Sequence, residues 1–284
     1  MTNAAFSKKP AWLRKQLGFG TTAGLKAELR GKNLHTVCES AKCPNIGECF
    51  SRKTATFLIL GNACTRTCTF CAVDKGNTGP LDPHEPENVA RMVKEMALRY
   101  VVITSVTRDD LPDGGAAHYV AVMRAVRREN PGVPIELLIP DFSGDRDALD
   151  TVLAERPDVL NHNIETVPSL YPHIRPEADY QKSLDVLRRA AGCGLTAKSG
   201  IMVGLGETEE ELTASFIAVK EAGVRILTVG QYLAPSRNHA PVVRYYEEEY
   251  YERLSRKARA AGIEKVFAGP FVRSSYMAEE VGAL

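Results

Sequence analysis

The sequence predicts an α/β fold: a partial (β/α)6 barrel, TIM-like in plan, between a cysteine-rich N-terminal extension and a C-terminal tail. Three observations predict it. Six near-continuous apolar runs of strand length recur, at Thr56–Leu60, Tyr100–Val106, Ile135–Ile139, Val159–Ile164, Ala197–Val203 and Ile226–Leu233. Strands apolar on both faces belong to a parallel sheet covered by helices. Apolar residues at helical spacing fill the gaps between those runs. Six units suit a partial barrel better than a closed barrel of eight, and either plan puts the reactive site at the C-terminal ends of the strands.

Residues 1–53 read as the extension, 54–245 as the barrel and 246–284 as the tail. The extension is basic and polar. Within the barrel, Val89, Met92, Val93 and Met96 share one helical face, as do Tyr119, Val122, Met123 and Val126, and more weakly Leu149, Val152 and Leu153. Thr208-x-x-Glu211 is a capping box opening a helix that buries Leu212, Phe216 and Val219. An amphipathic stretch near Tyr246–Ala261 and a strand-like run, Lys265–Ala268, lead into the tail.

A net charge of +1 argues against nucleic acid or an anionic membrane as a bulk partner. No apolar run reaches membrane-span length, and the first residues lack a secretory apolar segment, so a cytoplasmic location is expected. Of seven cysteines, six fall within residues 38–71. An odd, tightly grouped set is a metal framework rather than a disulfide one.

Cys64-x3-Cys68-x2-Cys71 directly follows the first strand, on the first βα loop. Three thiolates hold three corners of a four-iron cubane. The fourth iron is then open to the amino and carboxylate groups of S-adenosylmethionine. A zinc knuckle or a four-cysteine ferredoxin site is the competing reading, but no fourth Cys or His follows at knuckle spacing. The spacing after a first strand is the signature of the radical S-adenosylmethionine superfamily. On that plan Phe70 lies against adenine, and Gly200-Ile201-Met202-Val203-Gly204-Leu205-Gly206-Glu207 resembles the adenine-lining stretch, with Met202 in place of an Ile. Ser105 and Thr107 are expected at the methionyl amine, Asn163 and Glu165 at the ribose hydroxyls, and Lys198 at the methionyl carboxylate. Each of these competes with a plainer reading as a satisfied polar residue at a strand end.

Cys38-x4-Cys43-x5-Cys49 offers a second set of three thiolates. With the first set and with Arg273-Ser274-Ser275-Tyr276, this pattern resembles the lipoyl synthase family. Further stretches carry the same resemblance: Cys43–Cys49, Arg108–Gly115, Asn161–Thr166 and Gly269–Arg273. The resemblance spans about Thr36 to Tyr276.

It implies two 4Fe–4S clusters, one on Cys64, Cys68 and Cys71 with S-adenosylmethionine, and an auxiliary one on Cys38, Cys43 and Cys49. Ser275 would be the fourth auxiliary ligand, with Ser274 as the alternative and Arg273 beside them in the catalytic motif. The implied activity is radical insertion of two sulfur atoms, at C6 and C8 of an octanoyl chain on a carrier-protein lysine, with the sulfur drawn from the auxiliary cluster. Implied partners are octanoylated lipoyl carrier proteins (lipoyl domains of 2-oxoacid dehydrogenases and the glycine cleavage H protein), a flavodoxin- or ferredoxin-type reductant and an iron–sulfur carrier. The alternatives are another radical sulfur-inserting or methylthio-transferring enzyme, and an iron–sulfur electron carrier. Cys193 reads as a small buried residue, and Tyr171–Pro176 as a loop without an assigned role.

Overall fold

A computed structural model of the chain describes residues 9–13, 22–51, 55–276 and 278. The described residues fall into two compact units. One takes those of Leu17–Arg66, Val73–Leu160 and Met277–Leu284; the other takes those of Met1–Gln16, Thr67–Ala72 and Asn161–Tyr276. The expected join between extension and barrel, at 53/54, lies outside the described residues, as do residues 1–8 and most of the end of the tail.

The first unit contains α1 (Thr22–Gly31), β1 (His35–Thr36), α2 (Val37–Ser40), α3 (Ile46–Ser51), β2 (Thr56–Ile59), β3 (Ala63–Cys64) and β4 (Asp74–Lys75). It continues with α4 (Glu85–Glu95), β5 (Val101–Ser105), α5 (Ala116–Glu129), β6 (Ile135–Leu138), α6 (Arg146–Ala154) and β7 (Val159–Asn161). β2 pairs in parallel with β5, and β5 with β6, placing Phe57 opposite Ile103 and Ile103 opposite Leu137. Phe57, Ile103 and Leu137 are fully buried, as strands covered on both faces require. The expected stripes bury their residues: Val89, Met92 and Val93 on α4; Tyr119, Val122, Met123 and Val126 on α5. The extension adds β1, antiparallel to β2 with His35 opposite Leu58.

The second unit begins at the last residue of β7. It holds α7 (Tyr171–Ile174), α8 (Tyr180–Gly192), β8 (Thr196–Val203), α9 (Glu209–Glu221), β9 (Ile226–Gln231), α10 (Glu248–Ala260) and β10 (Lys265–Gly269). β8 and β9 run parallel with Gly200 opposite Thr228, and β10 adds a further parallel strand with Phe267 opposite Thr228. The Thr208/Glu211 capping box forms, and Leu212, Phe216 and Val219 are buried on α9 as expected. Among the described residues no helix is long and apolar enough to cross a membrane.

The six apolar runs correspond to β2, β5, β6, β7, β8 and β9, but several stop short. β2 ends at Ile59 because Leu60 turns to φ +68°, and Glu165, after β7, has φ +63°. Positive φ is incompatible with strand geometry. Cys193 is exposed, contrary to the expected burial. α8 buries Leu184, Val186, Leu187 and Ala190, but it ends at Gly192, so Cys193 is its C-terminal cap, and Gly194 at φ +73° turns the chain directly after it.

Gly115, at φ +91°, precedes α5, and a Cβ there would lie 2.5 Å from Leu60 Cδ1. Gly115→Ala is expected to cost about 1–3 kcal/mol, since backbone strain and steric conflict act together. Urea unfolding midpoints of the two proteins measure it; a shift within error would show that Leu60 moves aside freely.

Candidate active site

The site grows from the end of β2. Leu60, in its left-handed conformation, is gripped on both sides of its backbone: its N–H donates to Glu85 Oε2 (2.9 Å), and its carbonyl accepts from Arg108 Nη1 (3.1 Å). Glu85 is also 2.6 Å from His118 Nε2. Arg108 makes a two-pronged bond to Asp110 (2.8 and 2.9 Å), and Thr78 Oγ1 adds a donor at 2.8 Å. Those hydrogen bonds, Arg108's first, hold the Asp110 carboxyl down at about 2. Asp113 accepts from the amides of Gly115 and Ala117 and so caps α5. The Arg108–Gly115 stretch thus fixes where the cysteine loop departs.

Cys64 follows on β3. Its sulfur accepts the Thr107 amide at 3.4 Å, while Thr65 donates through both N and Oγ1 to Thr107 O at 3.0 Å. Arg66 is buried and forks onto two carboxylates: Asp109 at 2.8 and 3.0 Å, Asp141 at 3.0 and 2.6 Å. Burial works against the Arg66 charge, but bonds to Asp109 and Asp141 outweigh it and hold the guanidinium ionised. Burial likewise opposes the Asp109 charge, yet Arg66 and Ser143 keep its carboxyl below the usual range. Ser105 closes β5 beside the Tyr119 hydroxyl.

Thr67–Ala72 belongs to the second unit and is held there from two sides. Thr67 N and Oγ1 both donate to Glu177, Thr69 N donates to Ile174 O (3.0 Å), and Thr69 Oγ1 to His173 O (2.9 Å). On the other side Ala240 N donates to Thr69 O (2.9 Å), and His239 Nε2 lies 3.1 Å from Cys71 O. The loop with no assigned role therefore supports the segment bearing Cys68 and Cys71. Phe70 and Met202, both expected at adenine, pack against one cluster of Ile174, Leu205, Tyr232 and Val242.

At the ends of β7, β8 and β9 the second unit gathers further expected residues. Asn163 Nδ2 donates to Glu165 Oε1 (3.1 Å) and to Ser274 Oγ (3.2 Å). Burial raises the Glu165 carboxyl, opposed by Arg175 and the Asn163 bond. Arg175 reaches the Asn163 carbonyl at 3.1 Å. Gly204, at φ +99°, leaves no room for a side chain, since a Cβ would meet Gln231 Nε2 at 2.3 Å. Glu207 accepts the amides of Gly204 (2.6 Å), Leu205 (2.8 Å) and Gly206 (3.1 Å), fixing the turn. The tail lies against β9: a Cβ on Gly230 would fall 2.2 Å from Val272 O. Arg273 Nη1 donates to Val272 O (2.6 Å), and Ser274 and Ser275 are both half-buried.

Lys198 lies in β8 two residues before Gly200, whose missing side chain makes room for Asn163. It is wholly buried near the start of β8, opposite Ile226, the first residue of β9. Its carbonyl accepts the amide of His162, one residue before Asn163, at 3.0 Å.

In the first unit, Cys38 sits on α2 just after Thr36, which caps that helix. Cys43 N donates to Cys38 O (3.0 Å), and Cys49 N to Asn45 O (2.9 Å). Burial pushes the Cys38 thiol up to about 12, and the charges of Cys43 and Cys49 add to the push. None of the seven cysteines is in a disulfide. Among the described residues no three His, Cys, Asp or Glu groups stand at the spacing of a single-ion site.

The donors suit the implied groups. Cys64 carries its amide donor, and Asn163 Oδ1 is buried with no hydrogen-bond partner, as an acceptor for a ligand hydroxyl would be. Residues 58–217 match the family model of the Radical SAM superfamily. The solved structure of methylornithine synthase shares the fold, with a TM-score of 0.57 at 18% identity, over 74% of this chain and 63% of that one. The fold and cysteine loop define a radical S-adenosylmethionine enzyme, a class that works with a 4Fe–4S cluster and S-adenosylmethionine. Lipoyl synthase of Rubrobacter xylanophilus is 54% identical over 275 residues, 96% of this chain and 86% of that protein. Lipoyl synthase of Pelodictyon phaeoclathratiforme is 55% identical, over 96% and 94%. The chain belongs to the lipoyl synthase family.

Arg66→Met removes the partner of Asp141, which is 3% exposed. Leaving that carboxylate uncompensated is expected to cost about 3–5 kcal/mol and to loosen the loop that carries Cys64. Denaturant unfolding and iron retention after gel filtration are the measurements; unchanged values in both would show that the Arg66 ion pairs do not hold the loop.

Proposed function

We propose that this chain inserts two sulfur atoms, at C6 and C8, into an octanoyl chain carried on a lysine of a lipoyl carrier protein, giving the lipoyl group. The observation that carries the reading is the second cysteine triad, with Cys43 and Cys49 close enough to act electrostatically on Cys38 and all three separate in sequence from Cys64, Cys68 and Cys71. An enzyme that only cleaves S-adenosylmethionine needs one triad; a sulfur donor gives the other a purpose. Full-length identity above one half to lipoyl synthases supports the same reading.

On this reading Cys64, Cys68 and Cys71 hold the cluster that binds S-adenosylmethionine, and together these groups supply a radical able to remove hydrogen from an unactivated carbon. Thr107 steadies Cys64 through its amide. Phe70, Met202 and Gly204 shape the adenine side, Asn163 and Glu165 the ribose side, and Ser105 the methionyl side. Lys198 serves the methionyl carboxylate. Cys38, Cys43 and Cys49 hold the auxiliary 4Fe–4S cluster, with Ser275 as fourth ligand and Arg273 in the same motif. An alkoxide is a weaker iron ligand than a thiolate and suits a cluster that gives up its sulfur. The protein's share is to hold chain and donors in register and exclude water.

The organisation on this reading is residues 1–53 for the auxiliary ligands, 54–245 for the barrel and 246–284 for the Arg-Ser-Ser-Tyr tail. The partners are lipoyl domains of 2-oxoacid dehydrogenases or a glycine cleavage H protein, a flavodoxin- or ferredoxin-type reductant and an iron–sulfur carrier, in the cytoplasm.

Replacing Cys64, Cys68 and Cys71 by Ala should halve the iron of anaerobically reconstituted protein and abolish deoxyadenosine release. Release that survives would assign cleavage to the other triad. Replacing Cys38, Cys43 and Cys49 should also halve the iron, yet keep deoxyadenosine release while ending lipoyl formation on an octanoyl-lysine peptide. Lipoyl product from this second variant would mean the sulfur has another source.

A further inference from the structure

Asn163 joins two features that the chain places far apart. Its Nδ2 is shared between Glu165 Oε1 (3.1 Å) and Ser274 Oγ (3.2 Å), 111 residues away. Its Oδ1 is buried and has no hydrogen-bond partner. The Glu165 carboxylate can only accept, which sets the amide with nitrogen towards it and oxygen away. Space is made for that amide: a Cβ on Gly200 would lie 2.7 Å from Asn163 Oδ1. The tail is pressed flat just before Ser274, with Val272 O in the space a side chain on Gly230 would need. Ser274 is thus pinned by backbone contact on one side and by Asn163 on the other.

We infer that Ser274 is the positioning residue of the tail, and that Asn163 links ligand occupancy to it. A vicinal hydroxyl pair, such as the ribose of S-adenosylmethionine, donates to Asn163 Oδ1 and locks the amide with Nδ2 facing Ser274. The tail is then held in one place, and the neighbouring serine is the one left for iron. An empty Oδ1 lets the amide turn and the tail slacken. This rests on the reading above for the role of Ser275, but the link from Asn163 to Ser274 stands on contacts within one unit.

The test uses full-length, anaerobically reconstituted protein with both clusters: unaltered, Ser274→Ala, Ser274→Thr and Ser275→Ala. The first readout is hydrogen exchange of residues 270–276 with and without S-adenosylmethionine. Added S-adenosylmethionine should slow exchange in the unaltered protein and in Ser274→Thr, which keeps the hydroxyl, but not in Ser274→Ala. The second is deoxyadenosine formed per lipoyl product. That ratio should rise roughly two- to tenfold in Ser274→Ala, the effect of one neutral hydrogen bond, with iron content unchanged. Ligand-induced protection that persists in Ser274→Ala overturns the link. Loss of iron from Ser274→Ala with full iron in Ser275→Ala overturns the division of roles between the serines. Unaltered protein that releases deoxyadenosine but makes no lipoyl product would sink the sulfur-insertion reading alone, and the exchange experiment would still decide the link.

Discussion

Arg66 sits between Cys64 and Cys68, with its guanidinium buried against Asp109 and Asp141. Taking that charge out of water costs several kcal/mol, repaid only by well-formed partners on more than one side. Both carboxylates come from segments that follow strands: Asp109 after β5 and Asp141 after β6. The loop can therefore take up its place only where those strand ends have already converged. Leu60 adds a second condition, because its strained backbone is stable only while Glu85 and Arg108 grip it. A reactive loop on a barrel is thus fixed by ionic and backbone bonds rather than by apolar packing, which leaves its sulfurs partly exposed for a ligand.

Within the second unit the same task is met with other means. The segment Thr67–Ala72 has little apolar content beyond Phe70, and its backbone groups are satisfied by Tyr171–Glu177 and by the Ser236–Ala240 turn. His239 is itself set by Ser236, 2.8 Å from its Nδ1. Glu207 shows how a carboxylate can serve as local scaffold. Burial raises its pKa, and three amides of its own turn offset that cost by hydrogen-bonding the charged form. Glycines at 200, 204 and 230 are required for a different reason: at each, a neighbouring chain or side chain occupies the volume of a Cβ.

Cys38, Cys43, Cys49, Cys64, Cys68 and Cys71 were legible in the sequence because each triad lies on a short local segment, where spacing alone sets reach. The strands were legible because continuous burial leaves an unbroken apolar run, and the Thr208 capping box because its partners are three residues apart. The sequence alone therefore determined the layered α/β plan and the family, and it offered six of the cysteines in two sets of three. Only the tertiary structure decided what steadies them. The Arg66 triad spans 75 residues to Asp141, the His239 contact to Cys71 spans 168, and the Asn163 bond to Ser274 spans 111. Pairings over such distances leave no periodic or spacing signal in the sequence. Helix ends are likewise set by packing, which is why Cys193, the residue after α8, lies in solvent.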